Sequence, residues 1–175
     1  IETATNLCSV SLFLDGDLVK TKSTQKPRSH VQKLPLYVYD VLKENNIKIS
    51  ELDGIAISIG PGSYTGLRIG MSMAKGLAMS HDLYLLPVNT LISMNMTITN
   101  KHPYWICIHS HKNIVFAQKF ERSKPTFKST CISLSELDTD MVYGYGLEKI
   151  SPNFNFNKIS PCSEKIGLFA LKYYK

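Results

Sequence analysis

The glycine-rich stretch at residues 60–70, GPGSYTGLRIG, constrains the fold of this chain more than any other segment. It follows residues 55–59, IAISI, a short and β-branched run that is typical of a strand covered on both faces. Gly60 and Gly62 permit positive φ angles and close approach of another backbone. Ser63 then stands where it can cap a helix. The stretch therefore predicts a buried strand, a tight turn and a helix beginning near Tyr64.

The start of such a helix favours an anion, because its free N–H groups and its dipole both point toward the turn. An oxyanion site at Gly60, Gly62 and Ser63 is one interpretation, and a plain strand-to-helix turn is the other. The stretch matches neither the Walker pattern, which needs Gly-Lys-Ser/Thr, nor Gly-x-Gly-x-x-Gly. A Gly-x-Ser-x-Gly elbow is also absent, and no nucleophile with its base can be assembled, so no catalytic residue is assigned.

Length and composition bound the class of protein. A chain of 175 residues, 43% of them hydrophobic, can bury one core or two small lobes. No apolar run approaches a membrane span and no signal peptide opens the chain, so we expect a soluble cytoplasmic protein without membrane contact. Ile1 in place of a starting Met suggests that a few N-terminal residues are missing. Four widely spaced cysteines predict reduced thiols rather than a metal site.

Periodicity orders the remaining elements. A short strand at Ile1 and a hairpin around the Asp15-Gly16 turn predict a three-stranded meander. Ser29 and Gln32 form a capping-box pattern for a helix reaching about Asn46, which Pro35 must bend. After the helix that follows the glycine turn, we expect a strand at residues 83–86, a helix at 91–97, strands at 105–109 and 114–120, and a closing helix at 163–175.

These segments together resemble the TsaB (YeaZ) family of tRNA threonylcarbamoyladenosine biosynthesis proteins. The resemblance rests on residues 60–70, on IETAT ahead of CSVSL at the start of the chain, and on RSH at 28–30, and it thins beyond Asn100. It implies an α/β fold of the actin-like ATPase class (ribonuclease H-like). Residues 1–99 would form an intact first lobe and residues 100–175 a shortened second lobe.

The resemblance also marks Glu2, Thr3 and Thr5 as nucleotide-site residues beside Gly60, Gly62 and Ser63. Related ATPases place an aspartate and hydroxyls near metal-bound phosphates there, whereas hydroxyls that satisfy turn N–H groups are the alternative. The glutamate is one methylene longer than aspartate, which disturbs the geometry that Mg²⁺ demands. No cofactor is required on this interpretation, although ATP or ADP could bind at a partner interface.

Histidines give little support for a metal. His30 opens a helix at which the related enzyme TsaD carries His-x-x-x-His, but Leu34 stands four residues on. His109 and His111 alternate along a predicted strand and so share a face, yet no third ligand accompanies them. We therefore assign no metal-binding residues.

The helix after the glycine turn predicts a protein interface. Small residues recur every four positions from Gly66, so another backbone can approach closely, and most of the remaining circumference is apolar and rich in Met. The helix from Ser29 could cover this surface instead. Six positions on the two helices are our candidate partner contacts: Tyr37, Tyr64, Arg68, Met71, Ser72 and Lys75.

The resemblance implies a non-catalytic dimerisation subunit of the machinery that makes threonylcarbamoyladenosine. Its expected partners are a TsaD-like transferase, a TsaE-like ATPase and tRNA bound through the complex. The sequence leaves open whether a homodimer forms when TsaD is absent. A small ATPase or kinase using Glu2, Thr3 and the glycine turn is the alternative. A free-standing RNA-binding module is a third, because the net charge of +6 could attract phosphates, although the lysines are scattered.

Overall fold

The computed structural model describes residues 1–139 and 141–174. Its helices are α1 (His30–Lys43), α2 (Tyr64–His81), α3 (Thr90–Met94) and α4 (Ser163–Tyr173). Its strands are β1 (Cys8–Leu14), β2 (Asp17–Thr24), β3 (Gly54–Ser58), β4 (Tyr84–Val88), β5 (Tyr104–His111), β6 (Ile114–Glu121), β7 (Lys124–Pro125), β8 (Thr130–Ser133), β9 (Val142–Tyr145) and β10 (Asn157–Lys158). Among these residues, no helix combines the length and the hydropathy needed to cross a membrane.

The chain divides into two compact units, one formed by Ile1–Thr90 with the segment from Cys162 onward, the other by Leu91–Pro161. This division differs from the expected one at 99/100 for two physical reasons. Helix α3 and the turn after it contribute Leu91, Met94 and Ile98 to a core cluster of the second unit. Helix α4 packs on β1 and β3, where the Ser163 N–H donates to the Ser9 hydroxyl at 2.9 Å.

The first unit contains two strand pairs joined by the start of the chain. Strands β1 and β2 are antiparallel around the turn at Asp15, and β3 and β4 are parallel. Glu2 exchanges main-chain hydrogen bonds with Ser9 of β1, while Ile1 bonds to Ala56 and Ser58 beside β3. The predicted first strand is therefore a two-residue bridge with partners on both sides.

Helix α1 begins where predicted, but its capping and its end differ from the prediction. The Ser29 side chain makes no capping bond, because its hydroxyl donates to the Lys26 carbonyl at 2.6 Å. The capping box with Gln32 is therefore wrong, although the helix does begin at His30. It ends at Lys43, three residues before the predicted end, and Pro35 lies within it.

The core of the first unit consists of two clusters that lie between its strands and helices α1 and α2. Cys8, Val10 and Leu12 of β1 pack against Leu34 and Val41 of α1. Ile55 and Ile57 of β3 pack against Ala74 of α2 in a second cluster. Alternate residues of β1 thus meet one helix, as a half-buried strand predicts.

The second unit is a mixed sheet with strand order β10-β9-β5-β6-β7, and β8 also pairs with β6. The long hairpin β5–β6 is antiparallel, and β9 lies parallel to β5. Tyr104 and Ile106 face the cluster that contains α3, while Trp105 and Cys107 face a second cluster with Leu147. The two strands predicted in this region, at residues 105–109 and 114–120, are confirmed as β5 and β6, whereas the short strands β7 to β10 were not predicted.

Candidate functional site

The glycine turn packs directly against the first residues of the chain. Ser63 donates its main-chain N–H to the Ala4 carbonyl at 2.6 Å, and its hydroxyl accepts from the Gly66 N–H at 3.2 Å. The predicted N-cap is therefore confirmed. Two amide groups at the start of α2 are thus already bonded within the chain, which leaves fewer for an anion.

The surroundings of each glycine explain why a side chain is not tolerated at its position. A Cβ on Gly62 would overlap the Ala4 carbonyl oxygen and lie 2.7 Å from the Ala4 Cβ. A Cβ on Gly66 would overlap the Thr3 carbonyl oxygen. Gly60 has a φ of +104°, which side chains rarely adopt, and its carbonyl accepts from the Thr90 N–H at 2.8 Å. Close approach of residues 3–4 accounts for Gly62 and Gly66 without a phosphate.

The small-residue face of α2 is covered by the same unit. Gly66, Gly70, Ala74 and Ala78 are its buried residues. A Cβ on Gly70 would overlap the Thr3 hydroxyl and lie 3.1 Å from Ile57 Cδ1. The backbone that approaches this stripe therefore belongs to the chain itself, and any partner must use another face of the helix.

The carboxyl of Glu2 is fully buried beside this turn. Burial raises its pKa from the usual 4.5 to about 7. The Ala4 N–H, which donates to Glu2 Oε1, and the Ser58 hydroxyl partly oppose that rise by stabilising the charged form. Thr3 is also fully buried, and its hydroxyl has no hydrogen-bond partner in the described part of the chain. Thr5 accepts from the Leu7 N–H at 3.2 Å, as expected of a turn hydroxyl.

The structure thus brings most of the predicted nucleotide residues together through residues 2–5, the turn and the start of α2. The chain satisfies part of their polar groups: Glu2 Oε1 accepts from Ala4, and Ser63 bonds to Ala4 and Gly66. Glu2 Oε2 and the Thr3 hydroxyl have no hydrogen-bond partner among the described residues. Among residues 1–139 and 141–174, no three His, Cys, Asp or Glu side chains are grouped to hold a metal. His109 Nε2 bonds to the Lys112 carbonyl, and His111 Nδ1 to the Ser110 hydroxyl.

A second candidate site lies between the two helices of the first unit. An apolar groove of about 390 Å³ runs between α1 and α2, so α1 does not cover the whole of this surface. Its lining residues are Val31, Leu34, Pro35, Arg68, Ile69, Ser72 and Met73. Val31 is 66% exposed although it is apolar. We refer to this feature as the α1–α2 groove.

The predicted interface residues fall into two groups around this groove. Tyr64, Arg68, Ser72 and Lys75 are exposed on α2, and Arg68 and Ser72 line the groove itself. Tyr37 and Met71 are half-buried and pack against the two core clusters of the unit. Sequence reasoning did not assign Val31, Pro35, Ile69 and Met73 to this surface. An apolar residue, Val31, at the start of α1 was the signal that could have indicated an exposed apolar surface there.

The family model described as "TsaD: tRNA N6-adenosine threonylcarbamoyltransferase" matches residues 21–142, which is well over half of the chain. The chain belongs to this family, in its TsaB/YeaZ group. The tRNA threonylcarbamoyladenosine biosynthesis protein TsaB of Escherichia coli is 39% identical over 94 residues, which cover 54% of this chain and 40% of that protein. The TsaB of Haemophilus influenzae is 29% identical over 102 residues, or 58% of this chain and 43% of that protein.

The chain thus matches less than half the length of these two TsaB relatives. A solved structure of YeaZ from Pseudomonas aeruginosa superposes with a TM-score of 0.80 and 22% sequence identity, covering 99% of this chain and 91% of that one. This likeness confirms the expected α/β, actin-like fold. A TsaB/YeaZ fold with a filled glycine turn and an open α1–α2 groove is the framework for the function.

Proposed function

We propose that this chain is a non-catalytic subunit of the machinery that makes threonylcarbamoyladenosine in tRNA, and that it docks a TsaD-like transferase on the α1–α2 groove. The observation that carries the proposal is the groove: an exposed apolar surface between two helices in a chain of the TsaB/YeaZ group. The names of the relatives support the pathway, and the groove supports the docking role.

The groove has the composition of a helix-binding surface. Val31, Leu34 and Pro35 of α1 face Ile69 and Met73 of α2 across it. Amphipathic helices bind in such grooves through apolar side chains spaced along one face. Met suits the purpose because its flexible side chain adapts to irregular contacts.

The exposed side of α2 adds a polar edge and an aromatic anchor. Tyr64, Arg68, Ser72 and Lys75 follow one another at intervals of four, four and three residues, so they lie on one side of the helix. Arg68 lies over the Tyr64 ring at 5.3 Å from its centroid, and its guanidinium donates to the Tyr64 hydroxyl at 3.3 Å. Tyr and Arg are enriched among the residues that dominate binding energy, and this pair is already ordered.

The glycine turn supports a non-catalytic role. The Ala4 carbonyl and the Ser63 side chain use donors that a phosphate would need, and burial disfavours the charged form of Glu2. We therefore propose that the isolated chain requires no nucleotide and that any ATP or ADP binds where the partner completes a site. A TsaE-like ATPase and tRNA would join through the assembled complex.

Light scattering coupled to size-exclusion chromatography tests the docking. The chain is run alone and with the TsaD-like protein of the same organism, and a mixed complex is expected. Arg68→Glu reverses the charge at the groove edge, and Ser72→Arg fills the groove. Each should weaken the complex at least about tenfold, as hot-spot substitutions do.

Lys149→Glu is the matched control, because Lys149 is exposed and lies in the second unit. It makes the same change of charge as Arg68→Glu and should leave the complex intact. Undiminished binding by both groove variants would overturn the assignment of this surface. A homodimer in place of the mixed complex would overturn the assignment of a TsaD-like partner. Magnesium-dependent ATP turnover by the isolated chain would revive the ATPase alternative.

A further inference from the structure

A polar hollow of about 720 Å³ lies in the second unit, at the end of the sheet where β5 begins. Two segments line it: residues 99–103, which lead into β5, and residues 121–123, which form the turn between β6 and β7. Their side chains are mostly exposed and polar. We refer to this feature as the basic hollow, for the charges described below.

Hydrogen bonds hold the two segments in place. The Asn95 side chain donates to the Ser123 carbonyl at 2.9 Å and accepts from the Tyr104 hydroxyl at 2.6 Å. The Ser123 hydroxyl donates to the Ile98 carbonyl, also at 2.9 Å. Because Tyr104 is fully buried, the frame of the hollow is anchored in the core of the unit. A ligand would therefore meet a preformed surface.

The charge at the hollow is positive. Lys101 and Arg122 line it, and neither forms an ion pair with another residue of the described chain. Glu121 is the one carboxylate among the described lining residues. Lys124 stands directly opposite Glu121 in the β6–β7 pair and offsets its charge.

The turn places its arginine in an unusual conformation. Arg122 and Ser123 have φ angles of +50° and +60°, so both central residues of the turn are left-handed. Turns of this geometry usually contain glycine with asparagine or aspartate. The turn thus holds Arg122 at an exposed tip anchored to the core, where its guanidinium can contact an anion at the hollow.

The shape favours a strand of RNA over a small molecule. Small-ligand sites are concave, largely apolar and bury most of the ligand. The hollow is open to solvent and its lining side chains are mostly exposed, so it would not enclose a small ligand, and its cations stand on two separate segments. A phosphodiester backbone crosses such a surface and is bound by Lys, Arg and small polar groups without being enclosed.

We propose that the basic hollow binds phosphate groups of an RNA strand through Lys101 and Arg122. The assignment of this RNA as the tRNA substrate rests on the proposed function, whereas the recognition of phosphates rests on the hollow alone.

Fluorescence anisotropy with a labelled tRNA transcript tests the proposal on the full chain between 50 and 200 mM salt. Lys101→Glu/Arg122→Glu should weaken binding at least about tenfold at the lowest salt. The slope of log affinity against log salt should fall by about 1.4–1.8, since two phosphate contacts are lost at about 0.7 each on single-stranded and about 0.9 each on double-helical nucleic acid.

Lys112→Glu/Lys149→Glu is the matched control, because it makes the same change in net charge at the other end of β5 and β9. Both lysines are exposed in the same unit, and the control should change affinity less than about threefold. Equal weakening by both double variants would overturn the proposal, and so would the absence of binding at 50 mM salt. Competition by inorganic phosphate or ATP at constant ionic strength would assign the hollow to a small anion instead.

Two variants separate this proposal from the docking role. Lys101→Glu/Arg122→Glu should still form the mixed complex with the TsaD-like protein. Arg68→Glu should lose that complex yet bind the transcript as well as the unaltered chain does. Loss of transcript binding with docking intact in the first variant supports the hollow even if the docked partner proves to be a different protein.

Discussion

Substitution of three glycines of α2 by alanine measures how closely the helix approaches residues 3–4. A Cβ on Gly76 would have no atom within 4 Å, whereas one on Gly66 would overlap the main-chain oxygen of Thr3. A Cβ on Gly70 would overlap the Thr3 side-chain oxygen. The chemical change is identical at the three positions, so the surroundings alone decide whether the free energy of unfolding rises or falls.

The expected magnitudes follow from two opposing effects. Alanine in a helix interior is favoured over glycine by about 1 kcal/mol, and Gly76→Ala should gain up to that amount. Overpacking costs about 1–3 kcal/mol, and the Thr3 carbonyl cannot rotate away as a side chain can. The preference of a helix for alanine applies at both positions and cancels in their comparison, so Gly66→Ala should be less stable than Gly76→Ala by about 1–3 kcal/mol. Gly70→Ala should lie between them.

Urea unfolding followed by circular dichroism provides the free energies. With a slope of about 2 kcal/mol per molar, the midpoints of Gly66→Ala and Gly76→Ala should differ by about 0.5–1.5 M. A double-mutant cycle separates the two kinds of contact. Thr3→Ala removes the side-chain oxygen, so it should recover stability in Gly70→Ala but not in Gly66→Ala. Equal stability of Gly66→Ala and Gly76→Ala would refute the close packing described above.

Three further substitutions or reactions probe buried groups. Glu2→Gln should match the wild-type chain in stability near pH 4.5 and exceed it by about 3 kcal/mol at pH 8. The raised pKa of the Glu2 carboxyl stabilises the folded wild-type chain below pH 4.5, and this contribution is lost as the pH rises through about 7. A pH-independent difference in urea midpoints between the two chains would contradict the assignment. Thr3→Val should leave stability unchanged or raise it by about 1 kcal/mol, because it removes a buried hydroxyl without a partner among the described residues. A clear loss of stability in urea unfolding would mean that the hydroxyl has a partner. Iodoacetamide at neutral pH should modify the exposed Cys131 but not Cys107 until the chain unfolds, because burial raises the pKa of the Cys107 thiol to about 12. Mass spectrometry of peptides measures the two labelling rates, and equal rates would contradict this prediction.

The sequence predicted the order of strands and helices because their patterns are local. The run of glycines located the turn, and Ser63 does cap α2 as expected. The predicted cap at Ser29 is wrong because the Ser29 hydroxyl donates to the Lys26 carbonyl instead. Only the path of the preceding loop reveals this acceptor. Local pattern thus identified both helices and one of their two caps.

The candidate sites depended on contacts that no local pattern contains. Whether Val31 and Ile69 border an open groove depends on how α1 and α2 pack, and that packing is set by the strands beneath them. The place of α4 in the first unit likewise depends on a hydrogen bond between Ser163 and Ser9, more than 150 residues apart. Residues 60–70 suggested a phosphate, because a backbone oxygen and a bound anion require the same glycines.

The two-residue bridge at the start of the chain has a consequence for any sequence joined ahead of it. Among the described residues, β1 and β3 each have one strand partner, and Ile1 and Glu2 lie between them. An extended segment placed before Ile1 would run between these strands and meet their inward-facing amide and carbonyl groups. Any residues ahead of Ile1 would therefore extend this pairing and link the two strand pairs into one sheet.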